Sequence, residues 1–98
     1  MATIQASDAL KARARAIRDE LTDTLTTALA KAVHRRHPDS SASLAASLIV
    51  ATWEVAFLEA HRIFRKTRNI KKANAAFLAI VDQGTRGAEA SVEGSPYA

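Results

Sequence analysis

Three groups of side chains in this chain have types and spacing that could do chemistry. The first is HRIFRKTRNIKK, which sets His61, Arg62, Arg65, Lys66, Arg68, Lys71 and Lys72 within one turn-forming stretch. A basic stripe of this kind is the electrostatic footprint of phosphate binding. The second is His34 and His37 with Asp39 close by, a trio with metal-ligating types. The third is Ile49, Trp53, Phe57 and Phe64, apolar and aromatic groups at helical spacing that could line a pocket for an apolar ligand.

Each group has a plainer reading. Cations at the end of a helix are favoured by the helix dipole and by water, and no array of Asn, Gln and Arg sits on a short recognition helix. The stretch therefore reads first as a solvated helix end, and nucleic-acid contact through Arg62, Arg65, Lys66, Arg68, Lys71 and Lys72 is the alternative. The two histidines precede a proline at a helix end and lack a matched second cluster, so they read as surface cations or caps, and no metal is expected. Large rings carry much of the burial in small domains and interfaces, so core or dimer packing competes with a pocket for the aromatic group.

Catalysis finds no support in the residue pattern. There is no Ser, His and acid constellation, no cysteine and no Gly-rich phosphate loop; Gly84 and Gly87 follow a helical segment. Asp19, Glu20 and Asp23 lie among basic neighbours, as an exposed face would. No enzyme and no cofactor are expected.

The elements that would position these groups are helical. Leu10, Ala14, Ile17, Leu21, Leu25, Ala28 and Ala32 recur at steps of three and four, predicting a first helix from Ser7 or Asp8 to the stop at Pro38. Asp39 or Ser40 then caps a second helix to about Arg65. Its polar residues Ser40, Ser43, Ser47, Glu54, His61 and Arg65 project onto one narrow strip, while Leu48, Ile49, Trp53, Val55, Ala56, Phe57, Ile63 and Phe64 spread around the rest. A third helix carries Ile70, Ala73, Phe77, Ile80 and Gly84 on one face, with Ala76 and Val81 beside it. Gly84 and Gly87 suit a helix end, and the small polar residues that follow suit a flexible tail over 91–98. No strand pattern, repeat or linker is visible.

Composition bounds the rest. With 98 residues, 48% hydrophobic and 24% charged, the chain fits one domain and lacks the profile of a disordered protein. A domain of this size buries only roughly 60 to 65% of its unfolded surface, so its core is marginal without a partner. The absence of cysteine excludes disulfides, and no secretory signal pattern opens the chain, so a cytoplasmic protein is expected. The charge-free stretch from Ser40 to Trp53 falls short of the roughly 20 apolar residues of a membrane span, and no membrane association is expected. The net charge of +4 is common among ordinary domains.

A helix apolar on almost every side, as SLAASLIVATWEVAFLEA is, must be covered from more than one direction. Two partner helices of a short chain can hardly do this, so a homodimer is expected. The charged amphipathic opening SDALKARARAIRDELTDTLTTAL, the HPDSS turn, the Ala-rich ASLIVATWEVAFLEA and the closing AAFLAIVDQG together resemble the C-terminal half of TetR-family transcriptional regulators. The likeness is one of pattern, over about Ile4 to Ala90.

The resemblance implies an all-α domain over 1–90, with three main helices, the long second and third forming a dimeric four-helix bundle. It implies a dimer interface of Leu48, Ile49, Trp53, Val55, Ala56, Phe57, Phe77, Ile80 and Val81, and a small apolar ligand in a pocket to which Ile49, Trp53, Phe57 and Phe64 contribute. Because the sequence opens at Met1, where the family's middle helices would precede, the DNA-reading half is expected to be missing, and DNA contact would come only through it. The rival expectation is a small stand-alone basic helical protein that binds nucleic acid through residues 61–72.

Overall fold

The structure is a computed structural model and describes residues 2–98, with side chains from residue 6 onward. Met1, on which the expectation of a missing amino-terminal half turned, lies outside them. The described chain is all-helical and without strands: α1 (Ala2–Ala32), α2 (Ser40–Thr67) and α3 (Ile70–Ser91).

Local chemistry explains most of the boundaries. Asp39 has extended backbone angles and its carboxylate accepts from the Ala42 N–H at 3.0 Å, satisfying an orphan donor at the start of α2. Asn69 does the same for α3, accepting from the N–H groups of Lys71 and Lys72 at 3.0 and 3.2 Å. Between them the chain reverses in two residues, because Arg68 adopts the left-handed conformation (φ 53°) and donates its N–H to the Phe64 carbonyl.

α1 starts earlier than Ser7 and ends well before Pro38. Its stop is a left-handed residue, His34 (φ 61°), whose N–H bonds the Lys31 carbonyl while that of Arg35 bonds the Ala30 carbonyl. This pair of bonds closes a helix end in the Schellman manner, with histidine where glycine is usual. α3, in turn, runs through Gly84 and Gly87 to Ser91. Neither glycine ends it.

Residues 92–98 form successive turns, with Val92 buried and Gly94 at φ +77°. The Tyr97 hydroxyl is buried near Asp39 without a hydrogen bond of acceptable geometry. Burial pushes this phenol above its ordinary range, and the Asp39 carboxylate adds to the shift. The end of the chain thus lies against the corner between α1 and α2.

α2 is the centre of the molecule. α3 packs antiparallel along much of its length, α1 meets it less extensively, and α1 and α3 do not meet. The result is a flat assembly, 45 × 37 × 15 Å. Its buried side chains are small: Ala42, Ala45, Ala46 and Ala56 of α2, Ala73 and Ala88 of α3, Ala30 of α1, and Val92. At Gly84 the two helices of the hairpin come so close that a Cβ there would overlap the Thr52 side chain. Glycine stands there because nothing larger fits.

α2 is also, among the described helices, the one long and apolar enough to cross a membrane, with an 18-residue window of mean hydropathy 1.6. The charge-free stretch alone, from Ser40 to Trp53, falls short of that length. Only 22% of that window is buried within the chain, and Glu54 within α2 pairs with Arg18 of α1 at 3.6 Å.

Candidate functional site: two apolar faces on one helix layer

Large apolar side chains lie outside this layer. Trp53 is 47% exposed, Val55 50%, Phe57 62% and Leu58 71%. A compact protein of 10.5 kDa presents roughly 5,400 Å² of surface, whereas this chain presents 7367 Å², an excess of about 1,900 Å². Its radius of gyration, 16.4 Å, likewise exceeds the roughly 13 Å of a compact domain of this length. The exposed apolar residues fall into two groups on different sides of α2.

The first group lines a cleft between α1 and α2 with a volume of about 560 Å³. Ile17, Leu21 and Leu25 come from α1, and Ile49, Val50, Trp53 and Phe57 from α2. The Arg18–Glu54 ion pair lies on its lining, which is otherwise almost wholly apolar. Trp53, Phe57 and Phe77 form a three-ring cluster, with centroids 5.4 Å apart for Trp53 and Phe77 in an edge-to-face arrangement, 5.1 Å for Phe57 and Phe77, and 6.1 Å for Trp53 and Phe57. Such geometry adds to the energy of burial alone.

The second group lies along the seam between α2 and α3. A shallow groove there is lined by Leu48, Ala51, Thr52 and Val55 with Ile80, Gln83 and Gly84. Leu44 and Leu58 extend the row on α2, giving Leu44, Leu48, Ala51, Val55 and Leu58 at alternating steps of four and three. On α3 the matching row is Ala76, Ile80, Gln83 and Gly87. This spacing is that of a coiled-coil seam, which sets knobs to enter holes on another helix.

The nine residues expected at a dimer interface are therefore divided. Leu48, Val55 and Ile80 lie on the α2–α3 groove, while Ile49, Trp53 and Phe57 line the α1–α2 cleft and Phe77 joins them through its ring contacts. Val81 is half-buried on α3. Ala56 is a correction: it is fully buried within the chain, so no partner can reach it. Of the expected pocket residues, Ile49, Trp53 and Phe57 come together, but Phe64 is not on that cleft. It is half-buried near the end of α2, with the Arg68 guanidinium 5.8 Å from its ring centre. The α1 contribution to the cleft was not anticipated, although the Leu10 to Leu25 periodicity was its signal.

The basic residues gather at the α2–α3 turn, all exposed. Arg62 is engaged by Glu59 through two bonds, at 2.6 and 3.1 Å. Those bonds hold the Glu59 carboxyl below its usual range and raise the Arg62 guanidinium. Arg65 and Lys66 sit at the negative end of the α2 dipole, but Lys71 and Lys72 sit at the positive end of α3, where the dipole opposes them. His34 and His37 are exposed, and Asp39 is occupied by the Ala42 N–H and by Arg35 at 3.2 Å. No group of three metal-ligating side chains is present among the described residues. Comparison with protein-family models, with characterised proteins and with solved structures finds no match.

Proposed function

We propose that this chain is a dimerisation module of the kind found in the C-terminal half of TetR-like regulators, cytoplasmic and without catalytic activity. The observation that carries the reading is the pair of seams on the α2–α3 hairpin. A hairpin whose α2 presents the apolar row Leu44, Leu48, Ala51, Val55 and Leu58 at steps of four and three, with Ile80 beside it on α3, supplies half of a four-helix bundle, and a two-fold axis across Leu48, Val55 and Ile80 supplies the other half.

The test is absolute mass by light scattering after gel filtration, at low and high salt. The expected result is a mass of at least twice 10.5 kDa that survives high salt, because apolar burial is not screened. The double variant Leu48→Asp with Val55→Asp, which places two charges in the seam, should abolish this pairing while keeping its helical circular dichroism. A wild-type chain that stays monomeric at every concentration would overturn the reading.

A further inference from the structure

A two-fold contact on the α2–α3 seam leaves the other side of the layer open. There α1 diverges from α2, and every described side chain from residue 6 to residue 20 is exposed, Ile17 among them at 45%. A helical segment of this length standing alone in water is marginal. On it Leu10, Ala14, Ile17, Leu21, Thr24 and Ala28 form a row at steps of four, three, four, three and four. Leu10 is 71% exposed and Leu21 55%, and from Ala14 onward the row faces into the cleft.

We infer that this row pairs antiparallel with the same row of a second copy, forming an α1–α1 contact distinct from the one on the α2–α3 seam. Laid against itself in reverse, the row sets Leu10 against Leu21 of the second copy and Ala14 against Ile17, and the same pairs recur across the axis. Charge agrees with shape. The residues flanking the row away from α2 are Arg13 and Glu20, which the antiparallel register brings opposite each other twice. A parallel register would instead set Arg13 beside Arg18 and leave Glu20 beside Leu25. On the side toward α2, Arg18 is already neutralised by Glu54.

Area supports the same arrangement. The excess of about 1,900 Å², divided between two faces, gives each contact about 1,900 Å² in total over both partners, within the standard range for specific interfaces. The cleft and the α2–α3 groove lie on different sides of α2, so one partner cannot sit on both, and each chain takes two partners.

The chain has no cysteine, so introduced thiols report cleanly. In the antiparallel register Leu10→Cys of one chain faces Leu21→Cys of another, whereas two copies of either variant place their thiols about 16 Å apart along the helix. That lies beyond the Cα separation of about 7 Å that a disulfide tolerates. Under mild oxidation the mixture of the two variants should cross-link and each alone should not. Cross-linking of Leu10→Cys with itself, or of neither combination, overturns the proposal.

Mass separates this contact from the one under the proposed function. Wild type should exceed two chains, Leu21→Asp should reduce the assembly to two, Leu48→Asp with Val55→Asp should also leave two, and the triple variant should be a monomer. If Leu21→Asp changes nothing, the α1 contact fails and the seam contact stands. If the seam variant changes nothing while Leu21→Asp does, the reverse holds. Charge reversal gives a second check that does not disturb the apolar row: Arg13→Glu or Glu20→Arg should loosen the α1 contact at least several-fold, and the two together should restore it. A small apolar molecule carried at one per chain by the native protein, together with no cross-link, would assign the cleft to a ligand and overturn the pairing.

Discussion

The two helix contacts within this chain are built on opposite principles. Where α2 and α3 approach most closely the buried residues are alanines and a glycine, and the backbones come together until a Cβ at Gly84 would not fit. Between α1 and α2 the residues are Ile17, Leu21, Trp53 and Phe57, and they line an open cleft. A single folded chain would ordinarily put its large side chains inside and its small ones where they matter least. Here the order is inverted: small residues join the chain to itself and large ones face outward. The inversion has a use if the large residues are shared between copies, since each contributes most where two chains close around it.

The sharpest way to break this comparison is at the two glycines of α3. Gly84→Ala forces a methyl group into the Thr52 side chain, and overpacking of this kind costs about 1–3 kcal/mol, less the roughly 0.5–1 kcal/mol that alanine gains over glycine in a helix. The midpoint of thermal unfolding should fall by about 5–10 °C, scaled to a domain of this size. Adding Thr52→Ala, which removes two of the three overlapping atoms, should recover part of the loss. Gly87 has nothing near a Cβ, so Gly87→Ala should raise the midpoint by about 4 °C. If both substitutions stabilise, the close approach at Gly84 is wrong.

Next in size is the corner where α1, α2 and the end of the chain meet. Asp39→Ala removes the acceptor for the Ala42 N–H and should lower the midpoint by about 4–8 °C, the effect of losing a typical helix cap in a domain this small. The loss should depend on pH with a definite sign. The Ala42 N–H, ahead of the Arg35 charge, holds the Asp39 carboxyl below its ordinary range. Its contribution is therefore present above the ordinary carboxylate pKa and disappears as pH falls through the lowered one. The gap between wild type and Asp39→Ala, measured by thermal melts from neutral to strongly acidic pH, should close at the acidic end. Tyr97 has the opposite sign: burial disfavours its ionised form, so the fold loses stability as pH rises from the ordinary phenol range through the raised pKa. Tyr97→Phe should be neutral or slightly stabilising at pH 7, since the buried hydroxyl has no bonding partner, and should flatten the alkaline limb.

What the sequence made legible divides along the same line as the packing. The three helices, the cap at Asp39 and the role of the alanines as close-approach residues all follow from local chemistry, which a linear chain displays. The helix stop at His34 and the turn at Arg68 do not, because a left-handed residue with a side chain leaves no compositional mark as glycine does. Gly84 misleads for a related reason: glycine signals a helix end or a close approach with the same letter, and only the facing Thr52 decides between them. The interface residues were recognisable as apolar, and α2 was recognisably oily all round. That they occupy two faces follows from where α1 and α3 lie, and no periodicity within one helix states the angle at which its neighbour departs. For the same reason the α1 row read as one side of a closed core, whereas its amino-terminal part stands open.

The smallest expected effect lies at the basic turn, and its smallness is the point. Arg65, Lys66, Lys71 and Lys72 are exposed, and the ion pairs of the described side chains involve none of them. Changing all four to Glu reverses charge at two helix ends with opposite dipoles. The substitutions at 65 and 66 put anions at the carbonyl end of α2, which is unfavourable, and those at 71 and 72 put anions at the amide end of α3, which is favourable. The two contributions offset, so the midpoint should move by no more than about 4 °C, equivalent to well under 1 kcal/mol. A shared apolar bundle predicts the same mass as wild type, with DNA retention that is weak in wild type and lower in the variant only as the net charge falls from +4 to −4 (Lys and Arg 14 to 10, Asp and Glu 10 to 14). A nucleic-acid function centred on this turn predicts instead that retention collapses and that the logarithmic salt dependence flattens by about 4, roughly one for each cation withdrawn from a phosphate. Unchanged mass with collapsed retention and that flattened salt dependence would move the active surface of the molecule from its apolar faces to the end of the α2–α3 hairpin.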